Sequence, residues 1–208
     1  LSYEVRESFA LHSPLPKGAL GFREGLKPLL EAQLVDVCDS LAYLAHDLDD
    51  GIASGLVDPV ALREVEVWRE AWDRVLREEP DLERKQQVLL TVKRLIDMGV
   101  GDLITASGER LGAAGVASPE EVQAHPQLLI GFHDEMHRLQ RRLSHYLYEH
   151  FYNAPPLMKM GHRARRFLVG MFEAYREMPR LLEPVERAWA EEVGLARALC
   201  ATIASMSD

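Results

Sequence analysis

The 208-residue chain holds only two cysteines, Cys38 and Cys200, far apart and without CxxC spacing. That scarcity excludes a disulfide-stapled scaffold and argues against a metal–thiolate centre; it suits a reducing compartment, so a cytoplasmic location is expected. No stretch approaches the roughly 20 consecutive apolar residues of a membrane helix. Leu1 to Arg6 lack the basic start and apolar run of a signal peptide, and without a methionine at position 1 Leu1 is not expected to be a natural start. Alternating runs of β-branched residues are missing as well, which leaves no pattern for a sheet. Positive charge is scarce: 24 Lys and Arg face 33 Asp and Glu, a net charge of −9. Broad nucleic-acid binding is thereby disfavoured, while a local basic pocket for a phosphorylated small molecule is still compatible with the balance.

What is present is helical periodicity, and the expected class is all-α. Ser2 to His12 reads as a short helix, followed by a Gly- and Pro-rich loop, Ser13 to Gly25. A strongly amphipathic helix follows from about Leu29 to Ser54. Asp58-Pro59 reads as an N-cap with proline at the first helical position, opening a helix to about Arg77. Its Val65, Trp68, Trp72 and Val75 recur at helical spacing and are expected to pack rather than to bind. Asp81 is the expected cap of the next helix, which runs past Leu95 with an interruption near Gly99 and Gly101. Ser118-Pro119-Glu120-Glu121 is another helix start. Two longer helices are expected at about Phe132 to Tyr152 and Leu157 to Met178, separated by Pro155-Pro156, and a last one from Pro184. No repeat and no long linker divides the chain.

The segment from Leu30 to Gly55 carries the chemistry. With Asp39 set at zero and about 100° per residue, Asp36, Tyr43, His46, Asp47 and Asp50 fall between about −20° and +80°. Leu30, Leu34, Val37, Leu41, Leu44, Leu48 and Ile52 gather on the opposite side. A solvated polar face is the plain reading of such a stripe. Three costs weigh against it. The segment holds six acidic residues and no Lys or Arg, so no intrahelical ion pair offsets the repulsion. Asp is a poor helix-interior residue. Asp47, Asp49 and Asp50 crowd the end where the helix dipole disfavours anions. Carboxylates tolerated at such cost point to a metal, a hydroxyl or a cationic partner.

Leu30 to Asp50 (LEAQLVDVCDSLAYLAHDLDD) closely resembles the last metal-ligand motif of HD-domain deoxynucleoside triphosphate triphosphohydrolases. The likeness extends to Tyr3 to Glu7, to Val92 through Ser107, to Leu147 to Tyr152 and, with substitutions, to Cys200 to Asp208. The resemblance implies an HD-type helical assembly in which residues 1–55 finish the catalytic core. Residues 56–208 would form a carboxy-terminal helical region packed on it as one continuous unit. It implies a divalent metal such as Mg or Mn, with Asp39 completing a His, His-Asp, Asp site whose other ligands belong to an amino-terminal half outside this chain. Tyr43 would lie against the deoxyribose, and Asp47 would accept a hydrogen bond from the 3'-hydroxyl. Tyr152 resembles a second substrate-facing tyrosine; its plain alternative is a partly buried tyrosine at a helix end. Lys17 and Arg23, in the loop before the motif helix, are candidates for the charge that would meet the phosphates. The implied partners are a dNTP, the amino-terminal half and further copies of the chain.

The implied reaction converts a dNTP and water to deoxynucleoside and triphosphate, and the 208-residue chain alone is expected to be inactive. Rival readings are an HD phosphohydrolase of another nucleotide and a non-catalytic helical relative that binds nucleotides or oligomerises. Leu11, Asn153-Ala154 and Ala201-Thr202 stand where many relatives carry Lys, Arg-His and Asp-Tyr, which mildly favours the last reading, whereas the retained Asp39, Tyr43 and Asp47 argue against it. His46-Asp47 and His133-Asp134 are both written HD, yet neither matches the catalytic dyad. His133 and His137 stand one turn apart, but their spacing to Glu135 is not that of HExxH, and no metal is expected there. Arg163, Arg165 and Arg166 are expected on the surface.

Overall fold

A computed structural model describes residues 2–10, 22 and 25–206. The described residues form α-helices and no strand, as expected of an all-α chain. In order these are α1 (Tyr3–Ala10), α2 (Leu30–Ala53), α3 (Glu66–Glu78), α4 (Arg84–Ala114), α5 (Pro119–Ala124), α6 (Asp134–Leu147), α7 (Pro155–Glu177), α8 (Pro184–Val193) and α9 (Leu195–Ser205). They divide into two compact units, Leu1–Phe151 and Tyr152–Asp208.

In the first unit α3 supplies much of the core, because its apolar residues recur every three or four positions. Val67, Trp68, Ala71, Trp72 and Val75 are buried, and α3 packs on α4 and α6. The Trp68 and Trp72 rings lie 5.3 Å apart. The Trp68 indole donates to the Pro59 carbonyl at 3.0 Å, and the Arg84 guanidinium sits 4.2 Å above the Trp72 ring. The expected packing stripe is therefore real.

Three expected features differ. The Asp58 carboxylate does accept a bond, from the Val60 amide at 2.9 Å. It opens a turn and a short 3-10 segment, Ala61–Glu64; Val65 is extended, and α3 starts only at Glu66. The cap of α4 is Glu83 rather than Asp81, in a capping box with Gln86 whose side chain accepts from the Glu83 amide at 3.1 Å. Nor is α4 interrupted: it continues through Gly99 and Gly101 to Gly115, whose φ of 61° ends it in the left-handed region. Gly99 marks a close approach. A Cβ there would stand 2.9 Å from Leu41 Cδ1 and 3.2 Å from Gln140 Nε2, so the missing side chain lets α2 and α4 meet.

Further on, Ser118 Oγ accepts from the Glu121 amide at 3.3 Å, as its motif anticipates. α6 is shorter than expected and ends in a π-helical turn, Tyr148–Tyr152.

In the second unit Pro155 and Pro156 open α7 rather than precede it, since proline lacks only an amide that the first turn leaves unpaired anyway. α9 buries Ala198, Leu199 and Thr202 and packs against α7 and α8. No residue of α7 is buried; Arg163, Arg165 and Arg166 are exposed, as expected.

Two glycines of α4 should respond oppositely to substitution. Gly101 meets nothing within 4 Å of an added Cβ, so Gly101→Ala should stabilise by up to about 1 kcal/mol through helix propensity. Gly99→Val should destabilise by about 1–3 kcal/mol through overpacking. Urea unfolding of the two variants checks the pair.

Candidate functional site

The inward side of α2 is apolar. Leu41, Ala45, Leu48 and Gly51 are buried, and Leu30, Val37, Leu44 and Ile52 are half-buried. Leu34, expected on this side, is instead 44% exposed, and Gln33 takes the inward place at 3%. The cause lies in what covers the first turns of α2. A strap, residues 129–133, crosses there, and the Gln33 carbonyl oxygen accepts from the Leu129 and Ile130 amides at 2.8 and 3.1 Å. Its amide nitrogen donates to the Pro28 carbonyl at 2.7 Å. A fully bonded glutamine is the group that can be buried at this point; an alkyl side chain would leave two amides unpaired.

The strap is held as firmly from α4. The Gly131 amide donates to Ser107 Oγ at 3.2 Å, Arg110 donates to the Phe132 carbonyl, and the His133 amide donates to Asp102 Oδ2 at 2.9 Å. Ile130 and Phe132 drive into one core cluster with Leu41 and Leu103, against which Leu30 and Val37 of α2 also pack. The first turns of the inward face of α2 are thus covered by the strap.

Its other face carries the predicted residues. Asp36, Asp39, Tyr43, His46, Asp49 and Asp50 are exposed and Asp47 is half-buried; Tyr43 is 63% exposed. Asp39, Tyr43 and Asp47 follow one another at four-residue intervals, about 6 Å per step along the axis. The helix brings these three onto one accessible face. Tyr152, 44% exposed, belongs to the second unit. Lys17 and Arg23 lie outside the described residues.

The implied divalent metal does not fit the described residues alone. A hard cation of this kind needs several oxygen or nitrogen donors. No group of three or more His, Cys, Asp or Glu that could hold a metal occurs among the described residues, and Asp39 offers a single carboxylate. His133 and His137 form no such site either. The His133 ring instead faces Asp102 Oδ1 through Nδ1 at 2.9 Å and Glu109 Oε2 through Nε2 at 3.1 Å. These bonds, to Asp102 first and Glu109 second, hold the imidazole above its ordinary pKa. Sequence reasoning missed this cluster and Gln33. A glutamine between Leu30 and Val37 was the one local sign; the partners of the strap are too distant in sequence to leave another.

Residues 130–208 match the phosphohydrolase-associated domain. A deoxyguanosinetriphosphate triphosphohydrolase-like protein of Geobacter sulfurreducens is 34% identical over 212 residues, covering all of this chain and 55% of the relative. Similarly named proteins of Deinococcus deserti and Deinococcus radiodurans are 40% and 38% identical, covering 86% and 88% of the chain and 47% and 48% of their own lengths. The chain matches the carboxy-terminal part of these triphosphohydrolase-like proteins. It spans about half the length of the curated relatives it matches. No described helix is long and apolar enough to cross a membrane.

Two substitutions test the energetics of α2. Gln33→Leu should destabilise by about 2–4 kcal/mol, since the buried Leu129 and Ile130 amides lose their acceptor. Asp50→Asn should stabilise slightly, by about 0.3–0.5 kcal/mol, by relieving repulsion near the carboxy end of the helix. That gain should fade in high salt. Thermal melts at two ionic strengths distinguish the two effects.

Proposed function

We propose that this chain is the carboxy-terminal part of a metal-dependent dNTP triphosphohydrolase, with the outer face of α2 as its contribution to the substrate site. The observation that carries the reading is the alignment of Asp39, Tyr43 and Asp47 on one accessible face of a helix that has no cation of its own. The names of the relatives support the same reaction class.

In the reaction water attacks the α-phosphorus, the bond to the 5' oxygen breaks, and that oxygen leaves with a proton as deoxynucleoside hydroxyl while triphosphate departs. The residues of this chain bind and orient. Tyr43 lies against the deoxyribose and shields it from water. Asp47, two turns from Asp39, accepts a hydrogen bond from the 3'-hydroxyl and fixes the sugar along the helix. Asp39 presents a hard oxygen ligand at the phosphate end; the remaining ligands come from outside the described residues. A divalent ion such as Mg or Mn, when bound, supplies Lewis-acid polarisation of phosphate oxygens. Cations must also meet the triphosphate, and Lys17 and Arg23 are the nearest candidates in sequence. Further copies of the chain are an expected partner, and the cytoplasm an expected location.

The test uses a chain extended to the length of its relatives. Asp39→Ala should lower triphosphate release by about 100-fold or more and reduce metal content. Asp47→Ala should keep the metal and lower kcat/KM by roughly 10- to 100-fold, the value of about 1.5–3 kcal/mol for a hydrogen bond to a charged group. It should also narrow the preference for deoxy- over dideoxynucleotides. Unchanged 3' discrimination would remove Asp47 from this role, and monophosphate as product would replace the reaction. The 208-residue chain alone should show no turnover and only weak manganese binding by calorimetry, because one carboxylate defines no site.

A further inference from the structure

We propose that His133 is a positioning residue whose imidazolium adds a ring latch between the 129–133 strap and α4 and so steadies the inner face of α2, with the latch loosening as the ring loses its proton. The geometry favours the cation. Both ring nitrogens face carboxylate oxygens, Asp102 at 2.9 Å and Glu109 at 3.1 Å. An ionised carboxylate only accepts, so each ring nitrogen must donate, and only the doubly protonated ring can do both. Asp102 is held in turn by two groups of one residue, since its other oxygen accepts from the His133 amide.

The latch sits where it can reach the stripe. His133 is the last residue of the strap and precedes the first turn of α6. Its neighbour Phe132, with Ile130, packs in the cluster of Leu41, and Val37 packs against the same cluster. Val37 and Leu41 flank Asp39 on either side, so a displaced strap changes the support directly beneath the stripe. At the far end the strap is tied to Gln33, which makes the five residues a tether between α4 and α2.

The charged groups facing His133 are Asp102 and Glu109 of α4. Arg110 of α4 engages the adjacent Phe132 carbonyl, and Asp134 follows on its own helix. From α2 the neighbouring Ile130 and Phe132 receive Leu30, Val37 and Leu41, all apolar. The electrostatic setting is therefore anionic around the ring, which favours the cation. Because the folded-state value is raised, the stabilisation is fully present below the pKa of the unfolded imidazole. It is lost as pH rises through the raised folded value.

The experiment is an NMR titration of the 208-residue chain with labelled histidine rings and labelled Val and Leu methyl groups. Both His133 ring nitrogens should carry protons to a pH above the ordinary imidazole range. The methyl signals of Val37 and Leu41 and the exchange protection of the 129–133 amides should change with the same midpoint. Asp102→Asn should move all these midpoints down together. Glu109→Gln, at an exposed position, should move them in the same direction by less and serves where Asp102→Asn fails to fold. A His133 ring that titrates in the ordinary range, or Val37 and Leu41 signals that ignore its midpoint, overturns the proposal. The inference rests on the proposed function only for the meaning of the stripe. Absence of turnover in the extended protein would sink that reading and leave the titration result standing.

Discussion

Leu41 of α2 and the bare Cα of Gly99 on α4 meet so closely that a single added carbon would fall 2.9 Å from the leucine tip. Much of the first unit follows from this contact. It sets α2 against α4 at one rotation about the α2 axis, and it places Leu41, Ala45 and Leu48 inside. With that side buried, the acidic residues on the opposite arc must face outward. Their mutual repulsion is smaller there than it would be in the low dielectric of a core.

The strap completes the arrangement with polar bonds as well as bulk. Leu129 through Phe132 lack helical or sheet partners, and a buried backbone without them would be costly. Gln33, Ser107, Arg110 and Asp102 each satisfy one or two of its groups. Those four side chains come from two helices, so the same bonds that pair the strap also lock α2 to α4. Hydrophobic contact alone would set the distance between the helices; the directional bonds set their register.

How much of this was readable in advance depends on the range of each interaction. The packing stripe of α3 and the two faces of α2 follow from a 3.6-residue period and were legible, as was the serine cap of α5. Gly99 was misread because glycine in a helix is a breaker on propensity grounds, whereas its reason here is a leucine 58 positions away. Asp81 and Glu83 compete for one cap, and only the reciprocal bond with Gln86 decides between them. The strap could not be read at all: its bonds span 22 to 97 residues. Of the candidate site, the common face of Asp39, Tyr43 and Asp47 was legible, since one helix carries all three. Tyr152 stands on another unit, and nothing in its local pattern says what it would face.

The tryptophans give the molecule a built-in optical division. Two of the three, Trp68 and Trp72, are fully enclosed in the first unit with rings 5.3 Å apart and tilted by 35°. The third, Trp189, lies on α8 of the second unit and is 39% exposed. Chromophores that close couple their transitions, so the first unit carries a near-ultraviolet dichroism signature and blue-shifted emission. The second emits from a wetter setting, further to the red. Unfolding of each unit is thereby separable in wavelength, without any label, in a single denaturation.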